Sequence, residues 1–112
     1  MKKIEAIIRP EKLGDVRQAL EKAGYPGVTI NEVEGHGKQK GVTRQWRGES
    51  YKVDLLPKVK LEIVVLDKDA ERILSAIATA AKTGAVGDGK IFVSDVEQVV
   101  RIRTGEKGEP AL

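Results

Sequence analysis

Ile4-Glu5-Ala6-Ile7-Ile8, followed by Pro10 and a helical stretch over residues 11–24, returns later in the chain as Leu61-Glu62-Ile63-Val64-Val65, followed by Asp67 and a helical stretch over residues 68–81. The two stretches align without gaps: Ile4 matches Leu61, Glu5 matches Glu62, Ile8 matches Val65, Val16 matches Ile73 and Leu20 matches Ile77. The likeness continues from Val28-Thr29-Ile30-Asn31-Glu32-Val33-Glu34 onto Ile91-Phe92-Val93-Ser94-Asp95-Val96-Glu97. Each half therefore reads strand, helix, strand. Leu13, Val16, Leu20 and Ala23 recur at helical spacing, as do Ala70, Ile73, Ile77 and Ala81. Pro10 suits a first helical turn, where a missing N–H costs nothing. Gly24 and Pro26 end the first helix, and Asp67 or Asp69 is expected to cap the second. Two such halves give βαββαβ, an α+β ferredoxin-like fold: a four-stranded antiparallel sheet with both helices on one face.

The stretch 59–66 carries apolar residues on both parities, with Val59, Leu61, Ile63 and Val65 on one and Val64 and Leu66 on the other. Helices can cover only one face of the sheet. The expected cover for the other is a second copy of the chain, which predicts a homo-oligomer.

The whole chain sets limits on what else it can be. Its 112 residues are one domain's worth, 40% hydrophobic and 33% charged, an ordinary soluble composition. No apolar run approaches a membrane span, and Glu5 interrupts what a signal peptide would keep apolar. The chain has no cysteine, which excludes disulfides and thiolate metal sites and fits a cytoplasmic location. A net charge of +3 with one Phe, one Trp and two Tyr is a poor match to a nucleic-acid binder, which needs a denser basic stripe or more stacking rings.

The repeat breaks in two places. Residues 35–56 join the halves through a long segment with glycines at 35, 37, 41 and 48 and no steady period. Connections of that length in small domains are functional or disordered. Lys38, Lys40, Arg44, Arg47 and Lys52 make the segment basic, while Trp46, Val53, Leu55 and Leu56 supply apolar anchors that suit docking onto a partner or packing back as a hairpin insertion. The second break is Thr83-Gly84-Ala85-Val86-Gly87-Asp88-Gly89-Lys90, where the first half has only Pro26-Gly27. Glycines let backbone N–H groups approach an anion, and Lys90 adds a positive charge. Lys58 opens the third strand, and Arg101 and Arg103, two apart on an expected extended segment, would share a face and clamp phosphate oxygens. A solvated strand edge explains that pair equally well.

Catalytic patterns are sparse. His36, the one histidine, lies between two glycines. It is the position to test for the nucleophile of a ferredoxin-like nucleoside diphosphate kinase, but it has no orienting partner nearby in sequence. No histidine cluster suits zinc. Arg9-Pro10 is similar to the phosphate-binding arginine of acylphosphatases, without the glycine-rich cradle before it.

Three segments together resemble the PII nitrogen-regulatory signal proteins: residues 1–10 (Met1-Lys2-Lys3-Ile4-Glu5-Ala6-Ile7-Ile8-Arg9-Pro10); residues 47–60 (Arg47-Gly48-Glu49-Ser50-Tyr51-Lys52-Val53-Asp54-Leu55-Leu56-Pro57-Lys58-Val59-Lys60); and Thr83-Gly84 through Gly87-Asp88-Gly89-Lys90-Ile91-Phe92-Val93 with Arg101-Ile102-Arg103-Thr104-Gly105-Glu106. The resemblance covers essentially the whole chain as one signalling domain, residues 1–112. It implies a homotrimer with ATP or ADP held in clefts between subunits. Gly87, Asp88, Gly89 and Lys90 would cradle phosphates, with Arg101, Arg103 and Lys38 opposite. Thr29, Glu62 and Val64 would meet the adenine, and Gly35, Gly37, Gln39 and Lys58 would complete the nucleotide site. Gln39 would hold the Mg²⁺ of bound ATP. Lys58, Gly37, Gln39, Lys40 and Gly41 would form a site for 2-oxoglutarate. Residues 37–55 would be a mobile signalling loop with Tyr51 near its tip as a candidate modification site, or Ser50 beside it. The chain departs from the common pattern at His36, Lys38, Trp46 and Glu49-Ser50.

The resemblance implies no catalytic role. It implies control of target proteins: an ammonium transporter first, at the membrane's inner face, then glutamine synthetase or a transcriptional regulator. The rival reading is a small phosphoryl-transfer enzyme on the same fold.

Overall fold

Alternating burial in the first strand decides which face of the sheet turns inward. The structure, a computed structural model, describes residues 1–35, 42–46, 49–53 and 56–112, the second and third of these segments in backbone. These residues run β1 (Lys2–Ile8), α1 (Leu13–Lys22), β2 (Thr29–Gly35), β3 (Val42–Trp46), β4 (Glu49–Val53), β5 (Leu56–Val65), α2 (Ala70–Ala81) and β6 (Gly89–Asp95). Four strands form one antiparallel sheet in the order β2-β5-β1-β6. β1 buries Ile4, Ala6 and Ile8, and β5 buries Val59, Leu61, Ile63 and Val65. Val16 and Leu20 of α1 and Ile73, Ile77 and Ala81 of α2 close the core from above. This is the fold that the repeat predicts, and the matched pairs Ile4/Leu61, Val16/Ile73 and Leu20/Ile77 are all buried. Burying each such side chain is worth roughly 1.5–3 kcal/mol. A one-residue slip of β1 would turn its whole apolar set outward, so the register is strongly specified.

One expectation about local chemistry needs correction. Short 3-10 turns, Pro10–Lys12 and Asp67–Asp69, lead into the helices, and neither aspartate caps α2 through its side chain. Asp67 takes the Met1 amine at 2.7 Å. Asp69 accepts the Tyr25 hydroxyl and, at 3.1 Å, Arg72 Nη2. Both carboxylates therefore tie the helix start to distant chain instead of to its own N–H groups.

The segment between β2 and β5 is also more regular than its sequence suggests. Val42–Trp46 and Glu49–Val53 pair as a two-stranded antiparallel ladder. Val42, Thr43, Trp46, Tyr51 and Val53 all favour strands, and the alternation was hidden by the charged residues between them.

The face of the sheet away from the helices is more charged than the run 59–66 implies. Lys60 Nζ sits 3.8 Å from Glu5 and 3.5 Å from Glu62. The apolar positions of this face are Ile7, Val33, Leu56, Val64 and the half-exposed Phe92. Leu66 falls beyond the strand's end.

Gly89 opens β6 at a point where no side chain fits. Its φ is +101°, and a Cβ there would lie 1.7 Å from the Ile7 carbonyl oxygen. Gly14, in α1, has nothing within 4 Å of such a Cβ. Gly89→Ala is therefore expected to lower stability by at least about 2 kcal/mol. Gly14→Ala should raise it by up to about 1 kcal/mol. Urea unfolding of the two variants checks both signs, and a neutral Gly89→Ala would contradict the close approach of β6 to β1.

Candidate functional site

The residues singled out from sequence divide between the two ends of the sheet. At the end where β5 and β6 begin, Gly89 lies opposite Ile8, and Lys58 lies opposite Val33. The connection 83–90 folds over this end around the Asp88 carboxylate. Oδ2 accepts the N–H groups of Thr83 and Gly84, each at 2.8 Å. Oδ1 accepts the Thr83 hydroxyl, and Arg9 Nε at 3.0 Å. Hydrogen bonds from Thr83, then Gly84 and Arg9, hold the Asp88 carboxyl well below its usual range. The side chain is turned inward as an organiser, so what Asp88 offers outward is backbone.

Two carbonyl groups of the connection are held by cations. Arg9 Nη2 donates to Val86 O at 2.7 Å, and Lys58 Nζ donates to Gly87 O at 2.6 Å. In a trans peptide the N–H points opposite to the C=O of the preceding residue. The N–H groups of Gly87 and Asp88 therefore point away from Arg9 and Lys58. Among the described residues neither has an acceptor. Successive N–H groups aimed the same way form an anion-binding concavity. Burial, and then the Arg9 charge, lower the Lys58 pKa. Gly35 sits against Lys58, where a Cβ would be 3.3 Å from its Cγ. Lys90 is exposed, opposite Ile7 on the open face.

At the other end of the sheet lies a cavity of about 340 Å³, lined by Lys3, Gly27, Val28, Thr29, Glu62, Ile63 and Val64. Thr29, Glu62 and Val64 thus share one concave surface. Strand register explains this: Thr29 is opposite Glu62, and Lys3 is opposite Val64. Sequence reasoning missed Lys3, Gly27 and Val28. The signal was their adjacency, in chain and in register, to the three residues that it named.

The chain leaves β6 at this same end, where Val96 N–H donates to Met1 O at 3.1 Å. Arg101 and Arg103 follow, but not on an extended segment. Residues 102–104 form a turn, closed by Gly105 N–H on Arg101 O and Arg101 N–H on Glu106 O, both at 2.8 Å. Gly105 has φ +72°, which suits glycine, and the Thr104 hydroxyl bonds Glu106 Oε1 at 2.9 Å. The turn signal was Thr104-Gly105. Arg101 holds Glu106 at 3.0 Å and reaches the carbonyls of Pro110 and Leu112 at 3.3 and 3.4 Å, while Arg103 is exposed. None of these partners of Arg101 belongs to residues 83–90.

His36, Gly37, Lys38, Gln39, Lys40 and Gly41 lie outside the described residues, as do Arg47, Gly48, Asp54 and Leu55 and the side chains of Trp46, Ser50 and Tyr51. Among the described residues no group of three or more His, Asp or Glu could hold a metal ion, and no helix is long and apolar enough to cross a membrane.

The depressed Asp88 carboxyl has a consequence for acid stability. A group whose folded pKa lies below its ordinary value, here 3.8, adds stability that is present above that value and is lost as pH falls through and below it. The Tm of the wild type is therefore expected to fall more than that of Asp88→Asn between about pH 5 and about pH 2. Equal acid sensitivity in thermal melts would contradict the inward role of this carboxylate.

Comparison with known proteins agrees with this architecture over the whole chain. The family profile described as "Nitrogen regulatory protein P-II" matches residues 1–106. "Nitrogen regulatory protein P-II" of Rhizobium meliloti (strain 1021) is 57% identical over 112 residues, covering 100% of both chains. "Nitrogen regulatory protein P-II 2" of Methanothermobacter thermautotrophicus is 56% identical over 112 residues, covering 100% of this chain and 97% of its own. "Nitrogen regulatory protein P-II" of Pasteurella multocida (strain Pm70) is 58% identical over 112 residues, covering 100% of both chains. The chain belongs to the nitrogen regulatory protein P-II family.

Proposed function

We propose that this protein is a nitrogen-regulatory signal transducer that binds ATP or ADP at a site assembled from two copies of the chain. The observation that carries the reading is the outward pair of N–H groups at Gly87 and Asp88, backed by Lys58 and flanked by Lys90. That arrangement suits phosphate oxygens. The cavity at Thr29, Glu62 and Val64 has the size and mixed polarity of a base pocket.

Val64 and Lys58 are six residues apart on β5, about 20 Å of extended strand. One nucleotide engaging both in a single chain would have to lie stretched along the sheet. Two copies set head to tail bring the cavity of one beside the cradle of the next. Head-to-tail contacts of this kind close into rings, and a homotrimer is the assembly proposed here. Arg101 and Arg103, leaving the sheet on the cavity side, would then face the neighbour's phosphates.

The proposal extends to two further ligands. Gln39 would hold the nucleotide's Mg²⁺, and Lys58, Gly37, Gln39, Lys40 and Gly41 would receive 2-oxoglutarate. Of these residues Lys58 is the one described, and an ammonium group beside the cradle suits a dicarboxylate. The chain acts as one signalling domain without catalysis, in the cytoplasm. Its loop 37–55 would be read by a target protein: an ammonium transporter is proposed, ahead of glutamine synthetase or a regulator. Ligands would bias that loop by their differential affinity for its conformations, typically about 1–3 kcal/mol.

Calorimetric titration with ATP, ADP and 2-oxoglutarate, with and without Mg²⁺, tests the reading. The wild type is expected to bind both nucleotides, and Arg103→Ala to weaken ATP by roughly tenfold or more, the loss of a charge-assisted contact. A wild type that binds neither nucleotide would end the proposal. Steady ATP hydrolysis abolished by His36→Ala would favour the phosphoryl-transfer alternative.

A further inference from the structure

We infer that Arg9 is a positioning residue for the phosphate cradle: by holding the Asp88 carboxylate and the Val86 carbonyl together, it turns the Gly87 and Asp88 N–H groups outward before any ligand arrives. The inference rests on the cradle reading above and adds a residue that makes no phosphate contact of its own.

Arg9 lies just past β1, where Ile8 faces Gly89. Its guanidinium uses two different nitrogens on two acceptors, Nε on Asp88 Oδ1 at 3.0 Å and Nη2 on Val86 O at 2.7 Å. The two side chains of the ion pair are only 14% and 24% exposed, so the pair is partly shielded from solvent. A planar fork can hold two acceptors in fixed relative positions, whereas an ammonium is a point charge without that constraint. The acceptors lie two residues apart in the connection and straddle Gly87. Fixing both fixes the peptide planes between them. Asp88 then carries the constraint back to Thr83 and Gly84, at the end of α2. Lys58 restrains the remaining carbonyl, at Gly87. A site whose donors are already aligned avoids the ordering cost that a loose glycine loop would meet on binding.

The test compares wild type, Arg9→Met and Arg9→Lys by ATP calorimetry, by thermal melts and by amide NMR at saturating ATP. Arg9→Met is expected to lose roughly tenfold to a hundredfold in ATP affinity. Arg9→Lys, which keeps the charge and its donors but not the rigid planar fork, should recover part of that loss. In Arg9→Met the ATP-induced shifts of the Gly87 and Asp88 amides should shrink, while the shift of Val64 in the cavity persists. A merely structural role would diminish all three shifts together and lower Tm in step with affinity, and that result would overturn the inference. Unchanged ATP affinity in Arg9→Met would also overturn it while leaving the nucleotide reading intact. Failure of the wild type to bind ATP would remove the cradle reading itself.

Discussion

The register of β1 between β5 and β6 is the constraint on which the rest of this molecule depends. Ile4, Ala6 and Ile8 must face the helices, because turning them outward would forfeit the core contacts of the central strand. Once that is fixed, the two ends of the sheet are placed. Lys3 comes to lie opposite Val64 in the cavity, and Arg9 emerges beside Asp88 at the opposite end. The length of one strand thereby sets the spacing between the cavity and the proposed phosphate cradle.

The cradle end shows how a loop rich in glycine becomes a defined surface. Its carbonyls are drawn inward by Arg9 and Lys58, and its one carboxylate is satisfied by Thr83, Gly84 and Arg9. Burial and then the Arg9 charge pull the Lys58 pKa down, and the charges of Glu11 and Asp88 oppose them in part. What remains facing outward is N–H and ammonium, a surface suited to anions. The chemistry lies in the backbone, and the side chains arrange it.

Much of this was legible in the residues, and the exceptions have physical causes. The repeat located both helices and all four strands of the main sheet because apolar positions recur in the same phase in each half, those of β1, β5 and both helices being buried. Thr29, Glu62 and Val64 were named together from family resemblance, and register brings them together. Asp88 was read as part of the phosphate cradle; its side chain points inward, so its outward offering is the backbone N–H, and a sequence cannot say which way a carboxylate in a glycine loop turns. Arg101 and Arg103 were read as a clamp on an extended segment, whereas Gly105 bends the chain into a turn there. Arg9 was weighed against another family's pattern and set aside for want of a glycine-rich cradle before it; the glycine-rich connection that it holds lies 79 positions away in sequence. The β3–β4 ladder was obscured by charges between its strand-forming residues.

The central claim is that the base cavity of one copy meets the cradle of the next. Mixed assemblies test it most directly. Thr29→Trp fills the cavity and leaves the cradle whole; Lys58→Ala with Lys90→Ala strips the cradle and leaves the cavity whole. Each variant alone should bind ATP poorly. Assemblies reformed from an equal mixture should regain wild-type affinity at a fraction of their sites, because some junctions then join an intact cavity to an intact cradle. Mixed assemblies, verified by native mass spectrometry, that bind no better than either variant alone would contradict a shared site.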